Sequence, residues 1–394
     1  MFNTLLLLLI SAGWLYWLVA LILVYDFFRP RPEADQSFSP PVSVLKPVKG
    51  VDFEAYQNFA SFCQQDYPDY ELIFGVANSE DPIVPVIEHL RRDFPERNIR
   101  LIVAETFGAN RKASLLHALA GEAKHEILVV SDSDMRVTPD YLKQVVAPLA
   151  DEQVGLVTCP YRGESPHSFT AGLETLHMGV TFLPSVVVAR KVLDMRFAMG
   201  ATVVLRQRDL ARLGGFAVFA DYLADDYQLG ARIAMLGLKV RLSNYVMASV
   251  LGATTFHEQW NREVRWMRCS RASRPLEYPG LLLSYSTPLS VVLVVMNRFS
   301  TASLGIMAGS LFIRWVVAWL ISVRTADQQA RRWLPWLPVR DLLSAATWCV
   351  GILGRRITWR GETFLVQADG RMRPVHGTSG QTVENKRYRR FRWF

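Results

Sequence analysis

The sequence predicts an α/β domain on a mostly parallel sheet, joined to an N-terminal transmembrane helix and to C-terminal membrane or interfacial helices. Three observations predict it. Strand-like and helix-like stretches alternate from Val42 to Thr158, an uncharged apolar run opens the chain, and long apolar stretches return after Leu281. Alternation at this spacing implies βαβ units whose helices cover both faces of a sheet. With 394 residues, half of them hydrophobic, the chain can build one large core and still have apolar surplus for a bilayer.

Thr4 to Val24 carries no charge and is rich in Leu, Ile, Val and Trp. About 20 such residues span a bilayer as a helix. A cleaved signal peptide would need a basic start and a small-residue cleavage site, and neither precedes Tyr25 and Asp26. Residues 1–28 therefore read as an uncleaved anchor. Arg29 and Arg31 follow it, so the next segment is expected in the cytoplasm. Pro30, Pro32, Pro40 and Pro41 stiffen a linker over 29–41.

The catalytic unit is expected over 42–275. Its predicted strands are Val42 to Leu45, Glu71 to Val76, Ile99 to Val103, Glu126 to Ser131 and Val154 to Thr158. The helices between them centre on Phe53 to Gln64, Pro82 to Asp93, Lys112 to Ala123 and Pro139 to Leu149. No glycine fingerprint follows the first strand, which argues against an ordinary dinucleotide-binding domain. The fourth strand is an apolar run, Ile127 to Val130, that breaks into Asp132-Ser133-Asp134. Open α/β sheets bind ligands at the carboxyl ends of strands. Two carboxylates there offer hard oxygens to a divalent cation that in turn holds a diphosphate, or else they cap a solvated turn. Met199 to Leu205 reads as a further strand and Gln207 to Leu213 as a short helix. Asp225 and Asp226 open a helix running to about Leu236, where acids favour the positive helix end. His257 to Arg268 reads as helical.

Residues 276–360 return to lipid-like composition. Leu281 to Met296 and Phe299 to Val323, separated by Asn297-Arg298, read as a helical hairpin. Arg314 lies mid-segment and must face protein or water. Leu342 to Leu353 is too short to span and is flanked by charge, so it reads as interfacial or re-entrant. Residues 361–394 form an expected basic cytosolic tail that ends in Lys386 to Phe394. The net charge of +8 gathers there and beside the apolar segments, which suits an anionic membrane face. No nucleic-acid module is visible, and no nucleic-acid partner is expected. Cys63, Cys159, Cys269 and Cys349 show no metal-binding or disulfide spacing, as befits a reducing compartment.

One set of motifs goes further. It comprises Val44-Leu-Lys46-Pro-Val-Lys49-Gly50-Val-Asp52, Gln65-Asp66-Tyr67-Pro68, Glu80-Asp81-Pro82, Val154-Gly155-Leu156-Val157, Asp226-Tyr227 and Arg262-x-x-Arg265-Trp266. In these the chain resembles the processive-type inverting glycosyltransferases and, more closely, the ceramide glucosyltransferase family over roughly residues 42 to 270. The resemblance implies a GT-A, Rossmann-like fold, inversion at the anomeric carbon, UDP-glucose as donor and a ceramide-like lipid as acceptor. It makes Asp226 the base, beside Asp225, and puts Mg²⁺ or Mn²⁺ on Asp132 and Asp134. Lys46, Asp81, Asn110, Lys112, Asp132, Arg262, Arg265 and Trp266 are the implied donor-binding residues. The expected location is integral to a bacterial inner membrane with the catalytic domain cytoplasmic; no oligomeric state is implied. A hopanoid glycosyltransferase using UDP-N-acetylglucosamine shares the motifs. A processive polysaccharide synthase would need more spanning helices than these apolar stretches supply. A non-enzymatic scaffold would not require acids at three separate element ends.

Overall fold

The computed structural model describes residues 2–30, 38–193, 195–359 and 361–375. Most of the linker lies outside these, as does the basic tail from Lys386 to Phe394. Seven strands form the central sheet, in the order Asn98–Val103, Tyr70–Val76, Val42–Pro47, Ile127–Ser131, Thr202–Arg206, Val154–Thr158, Lys239–Leu242. All pairings are parallel except those of Thr202–Arg206, which runs against both neighbours. The expected mostly parallel sheet is therefore mixed at one strand. Every residue of Val42–Pro47, Tyr70–Val76, Ile127–Ser131 and Thr202–Arg206 is buried, because helices cover both faces. One core layer holds Phe59, Phe62, Phe74 and Tyr141, and the other Leu116, Leu119, Phe219 and Ile233.

A second sheet joins Met135–Arg136, Met247–Gly252 and Tyr161–Pro166. Next comes a helical run that no reading of the sequence above includes. Phe169–His177, the π-helical turn Met178–Phe182 and Leu183–Val192 follow one another without a break. Among the described residues three helical stretches are long and apolar enough to cross a membrane: Phe2–Phe27, Phe169–Val192 and Thr301–Arg324.

The first arm of the expected C-terminal hairpin is broken. Tyr278–Ser284 and Ser286–Met296 meet at 74°. Pro288 has no N–H to offer Ser284 O and its ring crowds that carbonyl, so a continuous helix is broken here, and the Trp17 indole donates to the freed oxygen at 3.1 Å. Leu337–Ile352 is a shorter helix, outside the candidate spans. Arg314 is fully buried. It lies 3.8 Å from the Trp17 ring centroid, donates to Thr181 Oγ1 at 2.7 Å and pairs with Asp341 at 3.2 Å. The expected boundary at 360/361 is crossed by a third sheet, Arg356–Trp359, Glu362–Val366 and Met372–Pro374. Its alternating Ile357, Phe364, Val366 and Met372 bury one face, so this part of the chain packs on the catalytic unit and is not tail.

Candidate active site

The antiparallel strand explains how the site assembles. Because Thr202–Arg206 runs opposite to Ile127–Ser131, its start lies at the edge where Asp132 emerges, and Asp132 N donates to Ala201 O at 3.4 Å. Gly200 therefore sits among the functional side chains. A Cβ on it would lie 3.2 Å from Asp226 Oδ2, 3.3 Å from Lys112 Nζ and 3.8 Å from Asp132 Oδ2. Lys112 Nζ pairs with Asp132 Oδ1 at 2.5 Å and donates to Gly200 O at 3.3 Å.

Lys112 comes from the first turn of Arg111–Glu122, which Asn110 caps by accepting from Ala113 N at 3.1 Å. Asn110 also donates to Tyr222 O at 2.9 Å and to Asp225 Oδ1 at 3.1 Å. It ties the lysine-bearing helix to the acid-bearing helix Asp225–Met235. Burial and the neighbouring Asp225 push the Asp226 carboxyl up to about 6, with Lys112 opposing. Burial alone would weaken the hold of Lys112 on its proton, but Asp132, Asp225 and Asp226 outweigh it and raise the ammonium above its ordinary range.

Asp134 lies deeper. Its Oδ2 accepts from Ser249 Oγ at 3.0 Å, and burial together with Asp132 and Asp52 pushes its carboxyl up to about 7. Asp52 itself accepts from Ser133 Oγ at 2.5 Å. Among the described residues no three His, Cys, Asp or Glu side chains form a ready cage for a metal ion. Crowded acids of this kind nevertheless fit a hard cation, which would relieve their repulsion and take its other ligands from phosphate and water.

Two implied donor ligands are corrected, because both are fully buried. Lys46 is fully buried. Its ammonium donates to Asp132 O at 2.9 Å and stands 3.6 Å from the Phe62 ring centroid, so it shapes the strand end from within the core. Burial lowers its proton affinity to about 7 against the pull of Asp132, Asp134 and Asp52. Asn110, equally buried, is a cap and a tie, with its side chain spent on protein partners. Arg262 pairs with the buried Glu174. Asp81 orders the turn before the helix Val84–Asp93, accepting from Ile83 N at 3.0 Å, and clamps Gly50 N at 2.9 Å. Arg265 faces Trp359, with its guanidinium 5.4 Å from the ring centroid, and Trp266 is half-buried on the same helix, Phe256–Ser273.

The model of the family described as glycosyl transferase family 21 matches residues 5–372. The chain belongs to that family. Among relatives of this family-21 glycosyltransferase, ceramide glucosyltransferase 3 of Caenorhabditis elegans is 27% identical over 264 residues, which cover 66% of this chain and 57% of that protein. Ceramide glucosyltransferase 1 of the same organism is 25% identical over 371 residues, 91% of this chain and 79% of the relative. The fold is that of a mannosyltransferase from Pyrobaculum calidifontis solved with GDP-Man and Mn²⁺. The TM-score is 0.54 at 18% identity, covering 89% of this chain and 99% of that one. The GT-A expectation holds.

Four residues of this family-21 site escaped the sequence analysis as functional candidates: Gly200, Asp52, Glu174 and Trp359. Asp52 stands within a quoted motif, which was its one signal. Glu174 is a lone acid in the apolar helical run, and Trp359 ends a short strand after Leu337–Ile352 that its sequence does not announce; no motif spacing marks either.

Proposed function

We propose that this chain is a membrane-bound inverting glycosyltransferase that moves glucose from UDP-glucose to the primary hydroxyl of ceramide, giving glucosylceramide. The convergence of Asp132, Lys112 and Asp226 on Gly200 carries this reading. The family and the named relatives support the choice of substrates.

Asp226 is the base. Its carboxylate takes the proton from the acceptor hydroxyl as that oxygen bonds to the anomeric carbon, while the bond from that carbon to the UDP oxygen breaks. A single displacement from the side opposite the leaving group inverts the centre. A carboxyl pushed up to about 6 is still ionised at neutral pH yet holds a proton more tightly than an exposed acid, as a base requires. Lys112 holds Asp132 in place and presents a fixed positive charge toward the diphosphate. Arg265 and Arg262 add planar donors suited to phosphate oxygens, with Trp266 beside them and Glu174 orienting Arg262. Asp81 orders the Gly50 turn and Ile83, and its free lone pairs suit the uridine. Asp132 and Asp134 would hold Mg²⁺ or Mn²⁺, which when bound neutralises charge on the departing diphosphate. The catalytic domain is cytoplasmic by the Arg29 asymmetry, and the acceptor's tails remain in the bilayer.

UDP release by the purified protein, with UDP-glucose or UDP-N-acetylglucosamine against ceramide or a hopanoid polyol, tests the reading. Turnover is expected with UDP-glucose and ceramide, and Asp226→Asn should reduce it about 10²–10⁴-fold. In the wild type, kcat/KM should fall as pH drops below about 6, where Asp226 takes up its proton. Turnover only with the other pair would reassign the substrates. Undiminished turnover in Asp226→Asn would remove the base.

A further inference from the structure

The C-terminal sheet touches three of the segments that carry the site. Met372 N donates to Asp221 O at 2.8 Å and Leu223 N donates to Gly370 O at 3.1 Å, so Asp221 to Leu223 lies along the sheet as a partial extra strand. Tyr222 bridges to Arg371, whose Nε donates to the tyrosine oxygen at 3.3 Å and whose guanidinium lies 5.3 Å from the ring centroid. Leu223 is buried with Ile357, Phe364, Val366 and Met372. Asn110 grips the same segment from the other side through Tyr222 O. Directly after it come Ala224, Asp225 and Asp226. At the opposite end of the sheet the Trp359 ring backs Arg265, and Glu362 pairs with Arg111, the neighbour of Lys112.

We propose that this sheet is a positioning element of the active site, in which Arg371 sets the acid-bearing segment Asp221 to Asp226 and Trp359 sets Arg265 toward the diphosphate. The proposal rests on the roles given above to Asp226 and Arg265. A segment that opens a helix after a turn has little of its own to hold it. The added backbone bonds and the buried Leu223 restrict it to one path. A guanidinium over an aromatic face is likewise confined to the ring's normal. Displacing a reacting group by about 1 Å can cost 10²-fold in rate, so such restraint bears directly on turnover.

The test uses the full chain in detergent. Arg371 is more than half exposed at its side chain, so Arg371→Ala leaves the core intact. It should lower kcat about tenfold, hold donor KM within about twofold and speed hydrogen exchange at the Leu223 amide. Trp359→Ala should instead raise donor KM about tenfold with kcat within about threefold, and Trp359→Phe should restore it. A purely architectural sheet would give losses that follow the thermal midpoint and do not divide between kcat and KM, and that result would overturn the proposal. Should the wild type turn over no UDP-sugar, the functional reading fails, and exchange at Leu223 in Arg371→Ala then decides alone: faster exchange upholds the positioning role, unchanged exchange overturns it.

Discussion

Lys46 carries a charge into the core that the fold holds at a cost. Its ammonium loses water entirely and recovers two hydrogen bonds, to Asp132 O and Ser131 Oγ, and the attraction of nearby acids. The folded chain therefore releases this proton near 7, whereas an unfolded lysine keeps it to about 10.4. Between those values the unfolded state binds more protons, so the contribution of Lys46 to stability must rise with pH from about 7 to about 10. The thermal midpoint of wild type relative to Lys46→Met should accordingly improve between pH 7 and 9. A constant difference would mean that Lys46 stays charged in the fold. At this scale Asp132 and Asp226 are legible in sequence because each stands at an element's end, where a carboxylate is exposed to ligand or helix dipole. Lys46 also stands at a strand end, but the strand is buried on both faces by elements far along the chain, and nothing local reveals that its side chain turns inward.

The helix Phe256–Ser273 shows how one element serves two purposes. A Thr255–Glu258 capping box starts it, and its motif arginines lie on faces that reach Glu174 and Trp359. Its inner face carries Glu263, which pairs with Arg340 of Leu337–Ile352 through two contacts of 2.6 Å. Both side chains are almost fully enclosed. Removing one partner of such a pair leaves a buried charge, so Glu263→Ala should cost about 3–5 kcal/mol. Replacing both, as Glu263→Leu with Arg340→Leu, should recover most of that loss. Additive losses in a thermal double-mutant cycle would show the two residues to be energetically independent. The helix itself is legible from its residues, but the short strands directly before it, Lys239–Leu242 and Met247–Gly252, are not. The 74° break after Ser284 has a local cause in Pro288, but the Trp17 indole that satisfies the freed carbonyl arrives from the other end of the chain.

Across the whole molecule the N-terminal helix is a structural part of the enzyme as well as a candidate membrane span. Trp17, Ala20, Val24 and Phe27 pack with Leu183, Val186, Met199 and Ile321 in one cluster, and Gly13 admits Ser286 so closely that a Cβ there would stand 2.8 Å from its Cβ. Small residues at such crossings let helices approach where the hydrophobic effect contributes little. A chain lacking residues 1–28 should therefore lose thermal midpoint in detergent by roughly 5 °C or more, and not only membrane attachment. An unchanged midpoint would reduce the segment to an anchor. By itself the sequence determined the alternating α/β plan, the apolar helices and the acids at the sheet edge, since periodicity, length and charge are local properties that each stretch expresses alone. Tertiary structure decided that one strand is reversed so that Gly200 meets Asp132 and Asp226, that Arg262 answers to Glu174, and that the last described strands complete the site. Those outcomes depend on contacts between residues far apart in the chain, and such contacts form only once the core has brought their elements together.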